Sequence, residues 1–360
     1  MNKTPIVVKD GITLFKGKFS RNLLFEPIVS NVYLLDDGDE AIIFDPSCGK
    51  KMATIVEAYI KNRIKVSGKW KKGVLIAGHS HLDHANNFCL SDAIGAQECS
   101  IYVHENGFKD GKVMNSPKPF IDQSVQESMS YYNYYMSFPF PYSVPMYIFA
   151  ALNALSPALA RKLFAILGSI PWPPPRDGTA KATALRNADA KVINIGGLEV
   201  RGWKIGDKVI MPTPGHSPCS VSLYWAEKKA LLISDADWIG NPVFMAASIK
   251  DSIASLNKIM DLTNTGHLEL LLPAHGDPKE GAEQILSHLR LRVSLLESIR
   301  EEVMAAYRSY GQEKDVRKLA KILTQASTLF ILLRIVNYPR HVFFLHNIVA
   351  VCLREEGLLN

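Results

Sequence analysis

In the first part of the chain, short apolar runs alternate with polar breaks, and the spacing of each run predicts an element. "NVYLLDDGDEAIIFDP" is apolar, then turn-rich, then apolar again, which predicts a hairpin turning at Asp36 to Asp39. In "KKMATIVEAYIKN" the apolar Met52, Ile55, Val56, Tyr59 and Ile60 recur at helical spacing. "GVLIAG", Gly73 to Gly78, reads as a short buried strand, and "SIYVHENG" as another. From residue 108 to about 190 the rhythm breaks into aromatic and proline-rich sequence, "YYNYYMSFPFPY" and "PWPPPRDG". Strand signals resume in "KVINIGGLEVRGWKI", "SVSLYW" and "KKALLIS"; a helix, "SIKDSIASLNKIMDL", precedes a last strand, "LELLLPAHG". From Lys279 onward long amphipathic patterns take over, with "HLRLRVSLLESIREEVMAAYRSYG" as one helix and three more after it. The organisation is therefore a mixed strand and helix region over 1–280, interrupted at 108–190, and a helical region over 281–360.

One apolar stretch, 143–170, is long enough to raise the question of a membrane span. Pro157 interrupts it and Arg161 and Lys162 follow, whereas a spanning helix needs about 20 mostly apolar residues. It reads as two short helices, with contact to a membrane surface as a secondary reading. The N-terminal "MNKTPIVVKDGITLF" lacks the apolar core and cleavage site of a signal peptide. Five cysteines, an odd number without CxxC spacing, argue against a disulfide framework and place the chain in a reducing, cytoplasmic compartment. Hydrophobic residues at 47% and charged residues at 21% over 360 positions are globular values. The net charge of +6 tolerates an anionic partner without demanding nucleic acid. The most basic stretch, 61–73, reads as a solvated loop.

The chemistry concentrates in "GHSHLDHANN", which carries three of the ten histidines and an aspartate. His79 and His81 lie two apart on an extended segment after a strand, so both side chains can face one side. Asp83 and His84 follow at the expected start of the next helix. Imidazole and carboxylate suit a divalent metal of borderline softness. Four such groups exceed what one tetrahedral ion takes while keeping an open position, so the stretch points to two ions. A polar loop with locally bonded histidines is the bland alternative, and the fixed HxHxDH spacing argues against it. Three further apolar runs end in a ligand type: "TPGHSPCS" at His216, "LLISDADW" at Asp235 and "LLLPAHGD" at His275. Each alone is as well read as structural; their joint occurrence is what carries weight. A ligand at a strand end is held by the buried sheet and opens to solvent.

Through His79-Ser80-His81-Leu82-Asp83-His84, His216, Asp235 and His275 the chain resembles the metallo-β-lactamase superfamily, over the first 280 residues apart from the insertion. The resemblance implies an α/β fold, a four-layer αβ/βα sandwich with the site on one edge. It implies that His79, His81 and His216 hold one metal and Asp83, His84 and His275 a second, with Asp235 bridging. Two departures stand out: Cys219 and Ser234 occupy positions where many members of the superfamily carry glycine. Cys219 reads as a packing residue rather than a thiolate ligand, and Asp237 is a rival bridging group. The tail "HNIVAVCLREEGLL" is similar to the closing helix of a winged-helix appendage, with a plain helical dimerisation element as the alternative. His288, His341 and His346 read as structural or surface residues.

Two divalent cations about 3.5–4 Å apart can share a water, lower its pKa and polarise a substrate oxygen. Zinc is the first choice, with iron or manganese as alternatives, and Asp83 could also shuttle protons. The expected function is a dinuclear metal-dependent hydrolase whose bridging hydroxide cleaves an ester, lactone or thioester. Tyr131, Tyr132, Tyr134, Tyr135, Phe138, Phe140 and Trp172 of the insertion would meet the apolar portion of a small-molecule substrate, or else form a homodimer contact or extra core. The alternative function is a phosphodiesterase or endoribonuclease. A binding module with a dead site conflicts with the complete ligand set, and β-lactamase activity itself is disfavoured without an export signal. No GxSxG elbow, GxGxxG or phosphate loop is present.

Overall fold

Period-two apolar runs build two sheets whose faces sort their side chains between three cores. The computed structural model describes residues 4–18, 28–115, 155–156, 175–238, 246–336 and 341–359. β1 (Ile6–Lys9), β2 (Ile12–Phe15), β3 (Val32–Asp36) and β4 (Glu40–Phe44) form an antiparallel meander, and β5 (Lys72–Ile76) and β6 (Glu98–His104) extend it in parallel. A small hairpin of β7 (Phe108–Lys109) and β8 (Lys112–Val113) follows, and β9 (Ala182–Leu185) closes the first sheet beside β6. The second sheet runs β10 (Lys191–Ile195), β11 (Leu198–Ile205), β12 (Lys208–Pro212), β13 (Val221–Trp225), β14 (Ala230–Ser234), β15 (Leu270–Pro273) and β16 (Lys279–Glu280). Only its β14–β15 pair is parallel.

Alternation explains the layering. On β4, Ile42 and Phe44 point between the sheets while Ala41 and Ile43 point outward. On β14, Leu232 faces the first sheet, and Leu231 and Ile233 face the other way. The outer face of the first sheet is covered by α1 (Lys50–Ser67) through Met52, Val56 and Ile60, and by α2 (Leu90–Ile94). The outer face of the second is covered by α3 (Ile249–Asn264) and α4 (Ala282–Ser309). The result is the four-layer αβ/βα sandwich expected from the sequence. α5 (Val316–Ala326), α6 (Thr328–Val336) and α7 (His341–Glu355) complete the chain. They share one continuous core with α3, α4 and the second sheet, and His346 is buried with them. No strand follows Glu280 among the described residues, so no β-wing is found among them.

Several expectations shift in detail. The hairpin at Asp36 to Asp39 stands as β3–β4. The N-terminal "IVVKDGITLF" is a further hairpin, β1–β2. Half of the basic 61–73 stretch is helix, because α1 runs to Ser67. β9 lies inside the 108–190 interval and pairs with β6; its mixed burial left no clean alternation to read. The seven aromatic residues named for the insertion, and the apolar stretch 143–170 apart from 155–156, lie outside the described residues. No helix among the described residues is long and apolar enough to cross a membrane.

The layering makes a simple stability prediction. Leu232 is fully buried between the sheets, whereas Val192 is 67% exposed. Leu232→Ala should cost about 2–5 kcal/mol in urea unfolding, through lost burial and the cavity left behind. Val192→Ala should stay within about 0.5 kcal/mol. Equal effects would contradict the placement of the core.

Candidate metal centre

The carboxyl ends of β4, β5, β12, β14 and β15 open onto one edge of the sandwich, and each is followed by a short polar segment. After β5, Gly78 allows the closest approach. Its amide donates to Asp45 Oδ1 at 2.7 Å and its carbonyl accepts from Val221 of the second sheet at 2.7 Å. A Cβ at Gly78 would lie 2.4 Å from the Cβ of Ser234, so only glycine fits. The His216 turn is seated on the start of α3: Gly215 has φ 142°, its carbonyl accepts from Ser248, and a Cβ there would lie 2.3 Å from Ser252 Oγ. The His275 loop is tied across the sheets by Asn31, whose amide donates to Ala274 at 2.8 Å. Asn31 Nδ2 adds bonds to the carbonyls of Pro273 and Gly276, both at 3.0 Å.

One local expectation is corrected. Asp83 and His84 do not begin a helix; they occupy a turn over 82–84, and α2 starts only at Leu90. The amides of His84 and Ala85 donate back to His81, closing the turn. The amides of Asn86 and Asn87 then both donate to the carbonyl of Ser47, and Ala85 bridges to Ser47. These bonds hold the segment against the loop after β4 and delay the helix.

The turn brings together the seven residues of the ligand set that the resemblance implies. His81 Nδ1 lies 2.9 Å from His79 Nε2 and 3.0 Å from His216 Nε2. Asp83 Oδ2 lies 3.1 Å from His275 Nε2 and 3.3 Å from His84 Nε2. Asp235 stands between these clusters: its Oδ2 is 3.3 Å from His84, 3.5 Å from His216 and 3.9 Å from His79, and its Oδ1 is 3.5 Å from His275. Three overlapping groups result, His79–His81–His216, His79–His84–Asp235 and Asp83–His84–His275, each with ligand atoms within 4.8 Å of one another. Asp237 joins none of them; its Oδ2 faces His288 Nε2 at 2.6 Å, tying the end of β14 to α4.

Burial and charge set different protonation on the two sides. Burial, reinforced by neighbouring imidazoles, holds His79 well below its ordinary pKa and takes His81 down to about 3. Burial acts against charge on His84 and His275 as well. There Asp83 and Asp235, with Asp45 added at His84, outweigh it and raise both pKa values. Burial would raise the two carboxylates, but His84 and His275 hold Asp83 and Asp235 low.

The donor set fits divalent ions on an observation independent of spacing. His84 Nε2 is fully buried and faces two carboxylates at 3.3 Å without a well-aligned hydrogen bond to either. Buried polar atoms are normally satisfied. Donors around one tetrahedral ion at about 2.1 Å would lie roughly 3.4 Å apart, close to the separations here.

Behind the rings stand groups that the sequence did not single out. Asp45 Oδ2 lies 3.1 Å from His84 Nδ1, and Ser234 Oγ lies 3.1 Å from His79 Nδ1. Asp45 ends the apolar run "AIIFD", the same signal that marked Asp235, and could have been found that way. Trp238 meets the His216 ring edge-on at 5.4 Å. Cys219 is buried, with its Sγ 3.2 Å from Ser217 Oγ and 3.5 Å from Ser80 Oγ. It thus packs between the His79–His81 and His216 segments and belongs to no ligand group.

No family model matches the chain, and no curated protein matches it in sequence. Solved structures do match. A metallo-β-lactamase family protein from Thermus thermophilus is 17% identical, with 98% of this chain and 95% of that one covered at a TM-score of 0.53. A β-lactamase domain protein from Burkholderia ambifaria is 16% identical, with 99% and 88% covered at a TM-score of 0.53.

The contrast in protonation predicts how metal binding depends on pH. An ion entering among Asp83, His84 and His275 has to displace protons held by raised pKa values, so its apparent affinity should climb as pH rises through neutrality. An ion entering at His79 and His81 meets rings already neutral and should show less of this competition. Zinc titrations from about pH 6 to about pH 8 check this, with proton release read from calorimetry in buffers of different ionisation enthalpy. Two pH-independent binding steps would contradict it.

Proposed function

We propose, from the metallo-β-lactamase fold that this chain has, that it is a metal-dependent hydrolase working with two divalent ions, zinc first. The observation that carries the reading is the Asp235 carboxylate within 3.9 Å of four imidazoles. His79, His81 and His216 would hold one ion and Asp83, His84 and His275 the other, with Asp235 between them. Bound there, such ions supply an acidified water and a Lewis acid for the substrate oxygen.

The chain's own residues do the rest. Burial of His79 and His84 keeps bulk water from competing for their ring nitrogens. Asp83, held as a carboxylate, has 13% of its side chain exposed against 6% for Asp235. That greater exposure supports Asp83 as the residue that would pass a proton between the site and solvent. The substrate class is an ester, lactone or thioester with an apolar portion. Its support is where the insertion is rooted: Asn115 Nδ2 donates to the Ala85 carbonyl at 2.7 Å and the Arg176 amide to Asn86 at 2.7 Å. The described residues on either side of the aromatic segment, Asn115 and Arg176, thus lie against the turn that carries His84. All five cysteines are free, which supports a reducing, cytoplasmic setting. A homodimer and a membrane-surface contact through 143–170 are further parts of the proposal that rest on sequence alone.

The test is metal-reconstituted protein assayed on acyl thioesters, lactones and esters of increasing chain length, with an RNA oligonucleotide alongside. Acyl hydrolysis that improves with chain length is expected, and His79→Ala and His84→Ala should each lower kcat/KM by more than about 100-fold. Cleavage of RNA without turnover of any acyl substrate would overturn the substrate class and favour a nuclease.

A further inference from the structure

Ser234 departs from the expected glycine, and the structure gives its side chain a definite place. It ends β14 with φ +49°, a left-handed conformation that glycine adopts freely and other residues keep only when their surroundings over-determine it. The residue is 1% exposed, so its hydroxyl cannot reach a substrate. The space it occupies exists because Gly78 has no Cβ: an atom there would come within 2.4 Å of both the Cβ and the Oγ of Ser234. Two unusual positions, one on each sheet, therefore make a single cavity that one hydroxymethyl group fills.

That hydroxyl lies behind two rings at once. Its Oγ is 3.1 Å from His79 Nδ1 and 3.3 Å from His84 Nδ1, and the two rings are tilted at 44° with centroids 4.0 Å apart. Both rings turn Nε2 forward, His79 towards His81 Nδ1 at 2.9 Å and His84 towards Asp83 and Asp235 at 3.3 Å. An imidazole that gives the lone pair of Nε2 to a metal carries its proton on Nδ1, and that N–H needs an acceptor. A hydroxyl oxygen has two lone pairs and can accept from both. Asp45 Oδ2 also lies 3.1 Å from His84 Nδ1, as a charge contact without a hydrogen bond, whereas the acceptor facing His79 Nδ1 is Ser234 Oγ.

We propose that Ser234 is a positioning residue common to both metal subsites, its single hydroxyl fixing the tautomer and tilt of His79 and His84 together. The inference rests on the two-ion reading and adds a coupling to it. The subsites share a rear support as well as the Asp235 carboxylate, while Asp45 supports His84 alone.

Cobalt(II) titration tests it, with the visible d–d absorption reporting ligand geometry at each step. Wild-type protein should take up two equivalents. Ser234→Gly keeps the left-handed backbone but removes the hydroxyl. Affinity for both equivalents should fall by about 10–100-fold, with altered d–d bands for both and an unchanged circular dichroism spectrum. Ser234→Ala should show the same double loss and serves if the glycine variant does not fold. Wild-type affinities and spectra in the variants, or a loss confined to one equivalent, would overturn the proposal while leaving the two-ion reading intact. Wild-type protein that binds fewer than two ions would overturn both.

Discussion

A carboxylate 5% exposed, Asp235, stands among the nitrogens of four histidines, and the surrounding architecture follows from the need to hold it there. Buried charge is costly unless it is paired, and rings packed this closely repel one another once protonated. Divalent ions would resolve both conflicts, since they would take the lone pairs of neutral rings and neutralise the carboxylates. Without ions the cluster compromises. Rings at one end stay neutral through burial, and those at the other keep protons against Asp83 and Asp235.

Holding that arrangement takes rigidity from both sheets. The metal-facing segments leave strands whose apolar residues fill the space between the sheets, and they are pinned to one another by backbone bonds. Val221 donates to Gly78 across the sandwich, and Asn31 donates to Ala274. Ala274 in turn donates to Ser234. The C-terminal helices take part as well, because His288 on α4 binds Asp237 two residues beyond Asp235. α4 thus braces the segment after β14 from the far side of the second sheet.

The candidate ligands were legible in the sequence because each sits where an apolar run stops, a signal carried by neighbours along the chain. Strands of both sheets and the body of the long helix α4 were legible for the same reason, whereas the sorting of the strands into two sheets was only implied by the resemblance. What escaped depends on neighbours in space. The delay of α2 to Leu90 comes from bonds to Ser47, far earlier in the chain. The role of Ser234 needs Gly78 beside it, and β9 finds its partner only through the edge of β6. Asp45 carried the readable signal but sits behind His84 rather than in front of it, a distinction that only the fold makes.

The most direct measurement is a crystal of zinc-loaded protein with anomalous scattering collected at the zinc absorption edge. Two peaks about 3.5–4 Å apart are expected. One should lie among His79, His81 and His216 and the other among Asp83, His84 and His275, with Asp235 reaching both. A single peak, or peaks away from these residues, would contradict the two-ion site on which the functional reading stands.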